Sequence, residues 1–233
     1  MAAHLVIAID GPAASGKSSV ARALAHRLGF VYVNTGAMYR AITWLAVSQG
    51  VPTADAARVQ QLLHDTAIEC GIADGESTIL LDGLDPTPHL VSDEVNASVS
   101  AIATIPEVRR VLVAKQRAYA ADHDIVMEGR DIGSAVFPET PYKVYIDASP
   151  EVRARRRASQ GLQDSVATRD KVDSTRRTSP LVIAEDAHVI DSSNLTVDGV
   201  AGESVGRLKM KGLALDEAWE RPKTKNQRPS SEP

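Results

Sequence analysis

Five short runs rich in Val, Ile and Leu punctuate the chain, at residues 5–9, 30–33, 125–127, 142–146 and 188–190. Each is continuous rather than alternating, the pattern of a strand buried on both faces, and helical stretches separate them. Together they predict an α/β fold with a five-stranded parallel sheet and helices on both of its faces. After the first run, Val20, Ala21, Leu24, Ala25 and Leu28 fall at helical spacing over residues 17–28, and Gly29 supplies the C-cap.

About 90 residues separate the second and third runs, far more than one crossover needs, so this gap is expected to hold an inserted lobe. Residues 66–73 and 77–84 read as an antiparallel hairpin closed by Asp74-Gly75, a dipeptide that favours two-residue β turns. Residues 106–119 read as a helix with Pro106 in its first turn and Val108, Leu112 and Ala114 along a partial apolar stripe. From residue 219 to 233 three prolines lie among Lys, Arg, Ser, Asn and Gln without apolar periodicity, which predicts a disordered tail.

Composition narrows the class. Of 233 residues 43% are hydrophobic, 24% charged and 4% aromatic, a balance that suits a globular protein with an aliphatic core. The net charge of −4 gives no basic field to gather a nucleic-acid backbone, so no nucleic-acid partner is expected. Cys70 is the single cysteine, which excludes an intrachain disulfide and a four-cysteine zinc site and suits a reducing compartment. The apolar run at residues 5–9 is too short for a signal sequence or a membrane span, so a cytoplasmic protein with no membrane partner is expected.

Between the first strand and its helix stands Gly11-Pro12-Ala13-Ala14-Ser15-Gly16-Lys17-Ser18, followed by Ser19. This is the G-x-x-x-x-G-K-[ST] phosphate loop in the strand-to-helix setting its mechanism requires. Small residues let the backbone curl so that N–H groups face phosphates, and the helix N-terminus adds partial positive charge. Lys17 is expected at the β and γ phosphates of ATP, with the Ser18 hydroxyl on Mg²⁺. The loop does not identify the acceptor. No D-x-x-G with N-K-x-D and no L-S-G-G-Q occurs anywhere in the chain, so GTPase and ABC-type readings fall and a small-molecule kinase remains. Residues 151–177 carry eight Lys or Arg against four acids, including Arg153, Arg157, Arg169 and Arg176. In an acidic protein that clustering predicts a mobile lid that folds over phosphates.

Several motifs in one order then resemble a known family, the bacterial cytidylate (CMP) kinases, within the nucleoside monophosphate kinases. They are Ile9-Asp10-Gly11-Pro12, Asn34-Thr35-Gly36-Ala37-Met38-Tyr39-Arg40, Glu128-Gly129-Arg130-Asp131-Ile132-Gly133, Val136-Phe137-Pro138, and Asp173-Ser174-Thr175-Arg176 before Ser179-Pro180-Leu181. The resemblance extends to about Asp198. It implies phosphoryl transfer from ATP with Mg²⁺ to CMP, with dCMP also a substrate, by a monomer, the nearest alternative acceptor being UMP or AMP. It implies that Thr35, Tyr39 and Arg40 line the monophosphate site, with Arg40 and Arg130 on the acceptor phosphate. Ser100, Arg109 and Asp131 match positions that read cytosine, Arg169 and Asp173 positions near the ribose, and Arg176 one at the nucleotide phosphates. Lys17, Arg130, Arg157 and Arg169 are the implied catalytic cations, and Arg153 joins the ATP-binding set. An alternative for Asp173 is an ion pair with Arg176, three residues on.

The same resemblance divides the chain into a core (1–36, 103–152, 179–218), a monophosphate-binding insert with a small antiparallel sheet (37–102), a short helical lid (153–178) and the tail (219–233). The chain departs from longer-lid relatives in having 11 residues between Arg157 and Arg169. Glu128 stands where relatives carry Asp, either of which can orient Mg²⁺ through water.

Overall fold

The computed structural model describes residues 4–159, 161 and 166–214; the expected tail at 219–233 and part of the expected lid lie outside the described residues. In chain order the elements are β1 (Val6–Asp10), α1 (Lys17–Leu28), β2 (Val31–Asn34), α2 (Thr35–Ser48), α3 (Ala56–His64), β3 (Ile68–Ala73), β4 (Glu76–Leu81), α4 (Asp93–Ile102), α5 (Pro106–Asp122), β5 (Ile125–Gly129), β6 (Tyr142–Asp147), α6 (Pro150–Ser159), α7 (Val166–Thr175), β7 (His188–Asp191) and α8 (Val197–Met210). A five-residue π-helical turn, Ile132–Val136, follows β5.

The five apolar runs form parallel strands in the order β2-β5-β1-β6-β7. Along β1, Ile7 and Ile9 enter one core with Val20 and Leu24 of α1 and Val200 and Leu208 of α8. Val6 and Ala8 enter the opposite core with Met127, Ile132 and Tyr119 of α5. Both faces of the strand are thus covered, which is why its sequence shows no alternation. A third core joins α2 to α5 through Ile42, Val59, Leu63, Ile102 and Leu112, and places α4 beside the end of the sheet.

The sheet has seven strands, not five. The hairpin closes as predicted, with Asp74 (φ 51°) and Gly75 (φ 77°) both left-handed between the paired residues Ala73 and Glu76. It is not a separate small sheet. Glu76 pairs in parallel with Tyr32 of β2, Tyr32 N–H donates to Gly75 O at 2.9 Å, and Asn34 N–H donates to Ser77 Oγ at 3.2 Å. An ion pair from Arg22 to Glu76 at 2.7 Å fixes the junction. Without the hairpin, β2 would end the sheet with unpaired backbone donors and acceptors, and the hairpin covers that edge.

No helix among the described residues is long and apolar enough to cross a membrane. The strand order changes direction at β1, whose neighbours β5 and β6 come from later in the chain. A crevice for ligands opens at the carboxyl ends of strands at such a point, and Asp10, Asn34 and Gly129 end their strands there.

Candidate active site

The phosphate loop leaves β1 at Gly11 and enters α1 at Lys17, curling through Ala14 (φ 60°) and Gly16 (φ 91°). Gly11 (φ 154°) passes so close to β6 that a Cβ would stand 2.1 Å from Ile146 O. Gly11→Ala is therefore expected to destabilise the fold by at least about 3 kcal/mol, read as a fall in thermal midpoint, since backbone must move to admit the methyl. An unchanged midpoint would contradict that packing.

Lys17 is 6% exposed; its Nζ donates to Pro12 O at 3.2 Å and lies 3.9 Å from Glu128 Oε2. Burial first, then the neighbouring Arg130, push its pKa down to about 7. Ser18 Oγ donates to Glu128 Oε1 at 2.8 Å, so the expected metal-binding hydroxyl sits against a buried carboxylate at the end of β5. Among the described residues no group of three or more His, Cys, Asp or Glu could hold a metal ion. Ser18 and Glu128 nevertheless offer hard oxygens beside the phosphate loop, the donor set of a Mg²⁺ whose other ligands are substrate oxygens and water.

A cleft of about 420 Å³ runs from this loop past α2, α4 and β5 to α7. Of the residues expected from sequence, Ala13, Ala14, Ser15, Gly16, Lys17, Ser18, Ser19, Thr35, Tyr39, Arg40, Ser100, Arg130, Asp131, Arg157, Arg169, Asp173 and Arg176 line it. Gly11 and Pro12 form the loop's base rather than its lining. Arg153 also lies outside the lining: it donates to Ala148 O at 3.0 Å and Ala13 O at 3.3 Å and is paired with Asp170. Two carbonyls and a carboxylate thus hold the Arg153 guanidinium as a brace beneath the loop.

Among the described residues seven cations line the cleft: Lys17, Arg40, Arg130, Arg156, Arg157, Arg169 and Arg176. Burial, with Arg169 and Arg130 next, pushes the Arg40 pKa down to about 10. Burial also lowers that of Arg176, whose Nη2 has no hydrogen-bond partner among the described residues. The carboxylate of Asp173 pairs with Arg130 Nε at 2.8 Å, whereas Arg176 Nε meets only the Asp173 backbone carbonyl, at 3.2 Å. The expected alternative pairing of Asp173 with Arg176 is therefore replaced by one that reaches from α7 across the cleft to the end of β5. Despite the desolvation that opposes it, the Arg130 and Arg176 charges hold the Asp173 carboxyl below its ordinary range. Seven cations against the three carboxylates of Glu128, Asp131 and Asp173 leave the cleft with an excess of positive charge that suits a polyanion.

At the other end stand Tyr39, Ser100 and Asp131. Asp131 is ion-paired through Oδ2 with Arg109, and both side chains are buried. Arg109 approaches from α5 behind Asp131, outside the lining itself, with Nη1 unpartnered among the described residues and its guanidinium carbon 5.8 Å from the Tyr39 ring centroid. Thr35 Oγ1 donates to Glu128 O at 2.8 Å, and a Cβ on Gly129 would lie 2.7 Å from that hydroxyl, so only glycine fits between them. The π turn after Asp131 is held by Asp10, whose two carboxylate oxygens accept from Ile132 N–H and Gly133 N–H, both at 2.8 Å. Burial pushes the Asp10 pKa up to about 7 against the pull of those donors.

Other lining residues were not picked out by sequence reasoning. Arg156 donates to Ser15 O at 3.1 Å and to the Ser192 hydroxyl and carbonyl at 3.0 and 2.7 Å, while Ser192 Oγ donates to Ser15 O at 2.7 Å. Leu195, Val197 and Val200 complete an apolar end next to the phosphate loop. Arg156 belonged to the basic cluster, but nothing in the local pattern links it to a serine 36 residues away. Asn34 also lines the cleft, and its Oδ1 caps α2 by accepting from Ala37 N–H at 3.0 Å.

A phosphate loop, a cationic trough and an apolar end in one crevice define a P-loop phosphotransferase for nucleotide-sized substrates. The family model described as cytidylate kinase matches residues 7–209. A cytidylate kinase of Pelotomaculum thermopropionicum is 44% identical over 214 residues, covering 87% of this chain and 95% of that protein. One of Solibacter usitatus is 45% identical over 207 residues, covering 83% and 88%. A bifunctional pantoate ligase/cytidylate kinase of Synechococcus sp. is 41% identical over 230 residues, 93% of this chain and 48% of that longer protein. The chain belongs to the cytidylate kinase family.

Proposed function

We propose that the protein transfers the γ-phosphoryl group of ATP to the phosphate of CMP or dCMP, giving ADP and the nucleoside diphosphate. What carries this reading is one cleft that joins the phosphate loop to the Asp131–Arg109 pair along a wall of seven cations. An oxygen of the acceptor phosphate attacks the γ-phosphorus, the bond from that phosphorus to the β–γ bridging oxygen breaks, and no covalent enzyme intermediate forms. Lys17, Arg157 and Arg169 stabilise the transferring group, while Arg40 and Arg130 hold the acceptor phosphate by bidentate guanidinium contacts. Mg²⁺ held by Ser18 and, through water, by Glu128 would neutralise charge on the β and γ oxygens. The apolar end at Leu195, Val197 and Val200 takes the donor base. Asp131, Arg109 and Ser100 read cytosine, with Asp173 and Arg169 beside the ribose and Arg176 at the phosphates.

The polypeptide works as a core, a monophosphate-binding insert at 37–102 and a lid at 153–178, acting as a monomer in the cytoplasm. ADP release measured with ATP, Mg²⁺ and each of CMP, dCMP, UMP, AMP and GMP tests the acceptor. Turnover is expected with CMP and dCMP at kcat/KM values at least about tenfold above the others. Turnover confined to AMP or GMP would overturn the acceptor and leave the phosphate loop's role standing.

A further inference from the structure

Outside the residues assigned above, one buried polar side chain reaches from the insert to the lid. Asn96 lies on α4, is 3% exposed, and donates through Nδ2 to Val91 O at 2.9 Å and Ser92 O at 3.1 Å. A carbonyl only accepts, so the atom facing these two oxygens is the amide nitrogen, and the oxygen must point the other way. There it accepts from Nη2 of Arg157 on α6 at 3.2 Å. The acceptor is neutral: it fixes the guanidinium by geometry without cancelling its charge, as a carboxylate would. One helical turn further along α4 stands Ser100, on the same face and lining the cleft with Val99 and Ala103. A single rigid helix thus presents one side chain to the acceptor end of the cleft and another to a cation of the lid.

We infer that Asn96 is the positioning residue that sets Arg157 for phosphoryl transfer, so that seating of the acceptor against α4 and alignment of the lid cation are one event. This rests on the role proposed above for Arg157. A local role alone, closing the turn before α4, would consume the two Nδ2 bonds and leave Arg157 unaffected.

Serine separates the two roles. At a helical position its hydroxyl donates to the carbonyl four residues back, as Thr43 does to Tyr39 O and Ser204 to Val200 O, both buried in this protein. Asn96→Ser therefore keeps a bond to Ser92 O and removes the acceptor facing Arg157. Asn96→Asp keeps the shape but sets a charge against Arg157 and loses both donations to Val91 O and Ser92 O, so it is read only through its coupling to Arg157→Ala. Steady-state kinetics of both variants, of Arg157→Ala and of the two double variants, each with its thermal melt, form double-mutant cycles. Asn96→Ser is expected to lower kcat about tenfold with KM for ATP within about twofold, Asn96→Asp to lower kcat further, and neither to lower kcat again once Arg157 is alanine. A loss that multiplies equally in the Arg157→Ala background, or a folded Asn96→Ser with parental kcat, would overturn the inference while leaving the reaction untouched. If Asn96→Ser does not fold, the Asn96→Asp cycle decides on the same criterion. Parental kcat in Arg157→Ala would instead overturn the catalytic assignment of Arg157, and with it the coupling.

Discussion

Lys17→Met is expected to transfer phosphate about a thousandfold more slowly than the parent while folding at least as stably. The two halves of that result share one cause. Lys17 is buried at the mouth of α1, and burial together with Arg130, Arg169 and Arg40 lowers its pKa from an ordinary 10.5 to about 7, with Glu128 resisting. A lysine depressed in the folded state binds fewer protons there than in the unfolded chain between about pH 7 and pH 10.5. The parent's stability should therefore rise with pH across that window, and the charged form is carried at a penalty below it. Methionine fills similar space without the charge, so the penalty and the pH slope should both vanish. In the proposed reading ATP supplies the missing anion and its phosphates restore the ammonium, so ATP binding at pH 8 is expected to take up protons in the parent and fewer in the variant. Calorimetric titration in two buffers of different ionisation enthalpy reads that difference directly. A Lys17→Met protein that melts well below the parent at pH 7.5, or keeps parental kcat, would refute the account.

The same logic explains which parts of the site were legible beforehand. Strands and helices that depend on local pattern are found where the pattern puts them: α1 covers Lys17–Leu28 with Gly29 left-handed at its end, and the Asp74-Gly75 turn closes β3 on β4. The phosphate loop is equally local, since eight consecutive residues carry its geometry. What local pattern does not carry is which edge the hairpin joins, because that depends on Glu76 meeting Tyr32, 44 residues earlier, and on an ion pair to Arg22. Arginines are the hardest case. From sequence, Arg153, Arg156 and Arg157 are three nearly equivalent cations on one helix. In the fold, Arg153 and Arg157 lie four residues apart, yet one braces Ala13 and Asp170 while the other meets Asn96. Arg156 ties Ser15 to Ser192. Their roles follow from acceptors contributed by the phosphate loop, α4 and the end of β7, which no helical periodicity encodes.

Replacing Asp131 by Asn should give the largest change in acceptor choice. Cytosine presents a donor at its 4-amino group and acceptors at N3 and O2, whereas uracil presents an acceptor at O4 and a donor at N3. In the proposed reading, a carboxylate at Asp131 accepts from the cytosine amino group and faces uracil O4 with no proton to share. Leaving such buried groups unpaired costs about 1 to 3 kcal/mol, so the ratio of kcat/KM for CMP over UMP should fall about 100-fold in Asp131→Asn, whose amide can donate to O4. The variant carries a second signature that a general loss of activity would not. Asp131 is the buried partner of Arg109, and an asparagine leaves that guanidinium charge uncompensated beneath the site. Removing one member of a buried pair destabilises by roughly 3 to 5 kcal/mol, which for a chain of this size lowers the thermal midpoint by about 10 °C. CMP should restore less of that midpoint in the variant than in the parent, because its cytosine no longer meets a charged acceptor. Parental CMP over UMP preference in a folded Asp131→Asn protein would remove the base-reading role, and an undiminished midpoint would show that Arg109 finds its compensation elsewhere.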